Sequence, residues 1–160
     1  MKILGCDCST KIIACVLLDE NESITRTMTL VSDKKTWDER SRELFKDFQD
    51  FVSFLRKAEL EPDIVYIEQA IYRQNIKTTL TIDSVINAAK YTCVLNELAY
   101  KIIDNRSWKK GILGKGNAKK EEIRNFADSK WGDVINSQDL ADAACIALYG
   151  LREKMNGKLE

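Results

Sequence analysis

Along the chain, residues 2–8 (KILGCDC), 12–19 and 23–31 are short apolar or alternating runs, split by Ser9-Thr10 and by Glu20-Asn21-Glu22. That pattern predicts three consecutive antiparallel strands. Over 35–57, Leu44, Phe48, Phe51, Val52 and Leu55 recur at helical spacing, and Pro62 then precedes an apolar run at 64–67. A helix, a turn and a buried strand are expected there. Ile82, Val85, Ile86, Ala89 and Cys93 mark a second long helix over 80–98, on which Tyr91, Val94, Leu95 and Leu98 form a further apolar stripe. Periodicity fits two readings of that stripe equally: a helix packed on two sides, or one that meets a partner. A strand near 99–104, a loop punctuated by Gly111, Gly114 and Gly116, a helix over 119–131 and a last one over 138–152 complete the pattern. Strands first, then strands alternating with helices, predict a mixed α/β sheet flanked by helices.

Composition narrows the chemistry. One proline and seven glycines in 160 residues leave no linker, so one domain spanning 1–160 is expected. Histidine is absent, which excludes Ser-His-Asp and Cys-His arrangements, histidine-ligated metals and an imidazole switch near neutral pH. Carboxylates, lysines or thiols must carry any reaction. The five cysteines, Cys6, Cys8, Cys15, Cys93 and Cys145, sit inside apolar runs, as reduced core residues do rather than members of a disulfide framework. Cys6 and Cys8 have no second pair with which to complete a tetrahedral zinc site. No stretch reaches the ~20 apolar residues of a membrane span, and the chain enters a strand-like run at Lys2 with no signal-type region, so the expected compartment is the cytoplasm.

The 25 basic and 25 acidic residues cancel overall but are unevenly spread: residues 101–130 hold nine Lys or Arg against four acids, a net of +5, which leaves −5 elsewhere. Screening acts over ~8–10 Å, so a basic segment of a neutral protein still attracts a polyanion locally. The acids carry the sharper signal. Asp7 lies within a run apolar enough for a central strand, and Glu68 ends the run from Ile64; buried carboxylates are costly unless paired or bound to metal. Sites in open α/β sheets form at the carboxyl ends of strands. Asp139 and Asp142 are spaced i, i+3 in the opening turns of the last helix, after the plausible cap Ser137. Acids there also stabilise a helix dipole by ~0.3–1 kcal/mol, yet the neighbours Leu140, Ala141, Ala143, Ala144, Cys145 and Ile146 mark a buried helix whose acids need cations. Four carboxylates without an imidazole suit Mg²⁺ or Mn²⁺ rather than Zn²⁺. Two such ions about 4 Å apart would activate water and stabilise the leaving oxygen of a phosphodiester.

The order of motifs is more specific than any one of them. Leu4-Gly-Cys-Asp7-Cys-Ser-Thr10, then Ile64-Val-Tyr-Ile-Glu68-Gln69, then Lys109-Lys-Gly-Ile-Leu-Gly114-Lys-Gly116-Asn-Ala118-Lys-Lys120-Glu, then Asp139-Leu-Ala-Asp142-Ala-Ala resembles the RuvC-type Holliday junction resolvases over nearly the whole chain. The resemblance implies a ribonuclease-H-like fold, a homodimer, no nucleotide cofactor and metal-dependent paired nicking of a four-way DNA junction. By position, Asp7, Glu68, Asp139 and Asp142 match the family's metal-binding acids, which hold Mg²⁺ or Mn²⁺, two per site. Lys109 and Lys120 match its basic positions beside the scissile phosphate, while Lys110, Lys115, Asn117 and Lys119 are assigned to backbone phosphates. The family's inserted aromatic would fall at Ile71, with Tyr72 next to it as the residue to stack on a base. Cys8-Ser9 replaces the Pro-Gly of many bacterial members, and the Asp-x-Ser-Thr form is similar to viral or phage-like relatives, in which case the compartment is the host cytoplasm.

Three alternatives stand beside this reading. A branched-DNA nuclease that also cuts forks and flaps would carry the same residues. A catalytically silent DNA-structure-binding module on the same fold would not need all four acids. An actin-like ATPase or sugar kinase shares the first strand motif but binds nucleotide between two domains, for which 160 residues are too few.

Overall fold

The computed structural model describes residues 1–71 and 75–157. Three strands, β1 (Ile3–Cys8), β2 (Ile12–Leu18) and β3 (Ile24–Val31), form an antiparallel meander, as the short runs and the breaks between them predict. Helix α1 (Trp37–Lys57) follows, then β4 (Ile64–Glu68), α2 (Ile76–Leu95), β5 (Tyr100–Ile103), α3 (Asn105–Leu113), α4 (Lys120–Trp131), a short 3₁₀ turn and α5 (Gln138–Asn156). The sheet order is β3-β2-β1-β4-β5. β1 is therefore central, antiparallel to β2 and parallel to β4, with Cys6 opposite both Cys15 and Ile67. This is the ribonuclease-H-like mixed sheet.

Each face of the sheet has its own core. On one, α1 and α2 lay Leu44, Phe48, Phe51, Val52, Leu55, Val85, Ile86, Ala89 and Cys93 against Leu4, Cys6, Ile13 and Ile67. On the other lies α5, buried from Ala143 to Leu148, with α3 and α4 packed over it. Contact between α5 and β1 depends on Gly5: a Cβ there would lie 2.2 Å from the Ala143 carbonyl oxygen and 2.5 Å from the Ala147 nitrogen. All five cysteines are free, with the Cys6 and Cys15 sulfurs 3.8 Å apart in the core, in keeping with the reduced reading. Among the described residues no helix is long and apolar enough to cross a membrane.

Three expectations are corrected. The glycine-punctuated segment opens with a helix, α3, in place of a loop. Asp104 caps it by accepting from the Ser107 N–H at 3.0 Å, Gly111 sits against the Tyr149 ring where a Cβ would meet carbon at 2.7 Å, and Gly114 closes it at φ 77°. Only the last of these glycines breaks the helix. Helix α2 starts at Ile76, capped by Asn75, and ends at Leu95, so Leu98 lies beyond it and is buried in the α1/α2 core rather than on the apolar stripe. Helix α5 runs on past 152 to Asn156.

Candidate active site

Asp7 sits near the end of β1 and Glu68 at the end of β4; the pairing that sets Cys6 beside Ile67 brings these next residues side by side. Helix α5 crosses β1 where Gly5 admits it, against Ala143, so Asp142, one residue earlier, reaches the same strand end. Asp139 lies on the turn before. Lys109 enters from α3 and Lys120 from the first turn of α4. All six residues singled out as catalytic in the sequence line one cavity of about 220 Å³, together with Ser9, Gln69, Ile71 and Asn105.

The carboxylates crowd one another. Burial, then the charges of Glu68, Asp142 and Asp139, and a hydrogen bond with Glu68 push the Asp7 carboxyl well above the usual range. Asp142 is pushed up to about 6, chiefly by burial, with Glu68 and Asp139 adding to the rise while the Gln138 side chain and Lys109 oppose it. Asn105 donates through Nδ2 to Glu68 Oε1, and Gln138 donates through Nε2 to Asp142 Oδ1 at 3.1 Å. The Lys109 ammonium stands 5.5 Å from the ring centroid of the buried Trp108, within cation–π range. Asn105 and Gln138 escape sequence reasoning: Asn105 falls in what reads as a loop, and Gln138 reads as an ordinary polar residue at a helix start.

Among the described residues, no three Asp, Glu or Cys side chains are poised to hold an ion as they stand. The fit to a divalent cation rests instead on donor chemistry: four hard oxygen ligand groups share one cavity, and the most enclosed, Asp7, is raised by burial and by the charges of the other three. Asp7, Glu68, Asp139 and Asp142 are the residues that would hold it.

The residues assigned to DNA phosphates lie outside this cavity. Lys110, Lys115, Asn117 and Lys119 are exposed on α3 and the α3–α4 connection. Lys115 is ion-paired with Glu122, whose carboxylate also accepts from the Lys119 N–H at 2.8 Å. Tyr72 lies outside the described residues. Ile71 is half-exposed at the cavity edge.

The mixed five-stranded sheet in the order β3-β2-β1-β4-β5, with helices on both faces, is a ribonuclease-H-like fold. No family model matches the chain. It is 31% identical over 90 residues to the crossover junction endodeoxyribonuclease RuvC of Caldicellulosiruptor saccharolyticus, a match that covers 55% of this chain and 54% of that one. To RuvC of Finegoldia magna it is 21% identical over 154 residues, covering 92% and 91%. The chain therefore spans about half the length of the first relative in its match, and nearly all of the other. Thermus thermophilus RuvC in complex with Holliday junction substrate superposes with a TM-score of 0.80 at 16% identity, over 98% of this chain and 96% of that one. The chain has the RuvC fold, and its curated matches carry that name.

Proposed function

We propose that the chain is a Holliday junction resolvase, an endodeoxyribonuclease that nicks paired strands of a four-way junction, with 1–160 as a single nuclease domain working in the cytoplasm. The observation that carries this reading is the shared cavity of Asp7, Glu68, Asp139, Asp142, Lys109 and Lys120. Names of the curated relatives support the activity. The four acids would hold two Mg²⁺ or Mn²⁺ ions, which when bound supply Lewis-acid activation of water and stabilisation of the leaving oxygen. Lys109, braced on the Trp108 ring, and Lys120 bring positive charge to the scissile phosphate as its own charge grows. The protein's acids repel DNA until they are neutralised, so binding and cutting respond differently to the removal of an acid. Exposed Lys110 on α3 and Lys119 ahead of α4 hold duplex-arm phosphates with Asn117, while Lys115 is held by its ion pair with Glu122, and Tyr72 stacks on a base at the branch point.

A junction has two-fold symmetry, and two coordinated nicks need two sites related by that axis, which a homodimer supplies. The surface offered for it is the exposed stripe of α2, with Ile76, Leu80, Tyr91, Val94 and Leu95 all more than half exposed. Labelled-strand cleavage of a mobile four-way junction, a Y-fork and linear duplex, with Mg²⁺ and with EDTA, tests the reading. Metal-dependent paired nicks confined to the junction are expected. Equal cutting of the fork would shift the assignment to a general branch nuclease, and binding without cutting to a silent module.

A further inference from the structure

Asn105 and Gln138 share a placement. Each is the first residue of its helix, directly after a residue whose side chain caps that helix: Asp104 accepts from the Ser107 N–H at 3.0 Å, and Ser137 from the Leu140 N–H at 3.2 Å. The caps pin both helix starts, and so aim both carboxamides. Asn105 reaches across from α3 to Glu68 on β4, while Gln138 reaches one turn along α5 to Asp142. A carboxylate only accepts, so each amide must present its NH₂.

We propose that Asn105 and Gln138 are positioning residues for the cation site, each holding one oxygen of a cavity carboxylate so that the carboxylate's other oxygen can face a metal ion. The inference rests on the nuclease reading and deepens it. The choice of a carboxamide matters chemically. A lysine or arginine in either place would cancel the carboxylate's charge and compete with a divalent ion, whereas a neutral donor fixes the rotamer and leaves the charge intact. The two amides also act on carboxylates from different elements, β4 and α5, so each can be tested with the other in place.

The test uses the near-isosteric variants Asn105→Leu and Gln138→Met, which keep side-chain volume and remove the donor. Mn²⁺ binding to the full chain without DNA, followed by electron paramagnetic resonance, is the primary readout, with binding of a four-way junction in EDTA alongside. Loss of an outer partner of a ligand weakens metal affinity by roughly 10–100-fold, so a drop of that size is expected in each variant, with junction affinity in EDTA unchanged. Mn²⁺ binding equal to wild type in a folded variant overturns the proposal, and if Asn105→Leu does not fold, Gln138→Met alone decides. A wild-type chain that neither binds Mn²⁺ nor cuts a junction overturns the nuclease reading itself, and this inference with it.

Discussion

Helices α5 and α2 are of similar length and both rich in apolar residues, yet they are used in opposite ways. Helix α5 has a sheet on one side and α3 and α4 on the other, and its residues from Ala143 to Leu148 are all buried. Asp139 and Asp142 lie in its first turns, which is where the cavity opens. Helix α2 packs on α1 and the sheet through Val85, Ile86, Ala89 and Cys93, while Tyr91 and Leu95 are 62% and 65% exposed. An enclosed apolar helix positions chemistry; a half-covered one offers a surface. The difference lies in the neighbours, which periodicity alone does not report.

Charge placed on each helix is the strongest way to break this comparison. Ala144→Glu would bury an unpaired carboxylate in α5, at a cost on the order of several kcal/mol, and should leave the chain unfolded or aggregated. Leu95→Glu on α2 should leave the chain folded and convert a dimer to a monomer, read by light scattering with circular dichroism as control for folding. A dimer that survives Leu95→Glu would remove this stripe from the interface.

Gly5→Ala comes next. The new Cβ would lie 2.2 Å from backbone oxygen and 2.5 Å from backbone nitrogen of α5, contacts that no rotamer can relieve, so α5 must move away from β1. Overpacking of this kind costs typically about 1–3 kcal/mol and occasionally more. Because α5 carries Asp139 and Asp142 while β1 carries Asp7, cleavage should fall further than the stability loss explains; a folded Gly5→Ala protein with wild-type cleavage would show that this contact does not set the site.

A smaller effect has the opposite sign. Asp142, at about 6 in the folded chain and near 3.8 when unfolded, binds more protons folded than unfolded between those values, so its contribution makes stability fall as pH rises from about 4 to about 6. In EDTA above pH 7, Asp142→Asn should therefore raise stability by about 1–3 kcal/mol and flatten that pH dependence in urea melts. The same variant should lose cutting. A less stable Asp142→Asn protein in EDTA would contradict the crowding of carboxylates.

Much of this was legible in the chain. Three short apolar or alternating runs in residues 2–31, separated by breaks as short as Ser9-Thr10 and Glu20-Asn21-Glu22, set the meander because such breaks can join only antiparallel neighbours, and an acid ending an apolar run, as at Glu68, marks a strand end facing a site. What was not legible depends on contacts between distant residues. Gly111 reads as a loop signal, but it lies inside α3 because the Tyr149 ring from α5 occupies the space beside it. Leu98 continues the α2 periodicity, yet the helix stops at Leu95 and the chain turns it into the core. Asn105 gains its meaning only from Glu68, 37 residues earlier.

The smallest predicted effect concerns Lys115, read from sequence as a phosphate contact and found paired with Glu122. Both side chains are at least a third exposed, so the pair adds little to stability and Lys115→Ala should barely alter the melting temperature. Its effect on DNA is the more informative measurement. Each phosphate contact adds about 0.9 to the slope of log affinity against log salt, so a lysine committed to DNA lowers that slope by about one when removed. With Glu122 competing for the ammonium, Lys115→Ala should change the slope for a four-way junction in EDTA by well under one. A full unit lost would mean that DNA draws Lys115 away from Glu122, and Glu122→Gln should then strengthen binding at low salt, because the competitor for that ammonium would be gone.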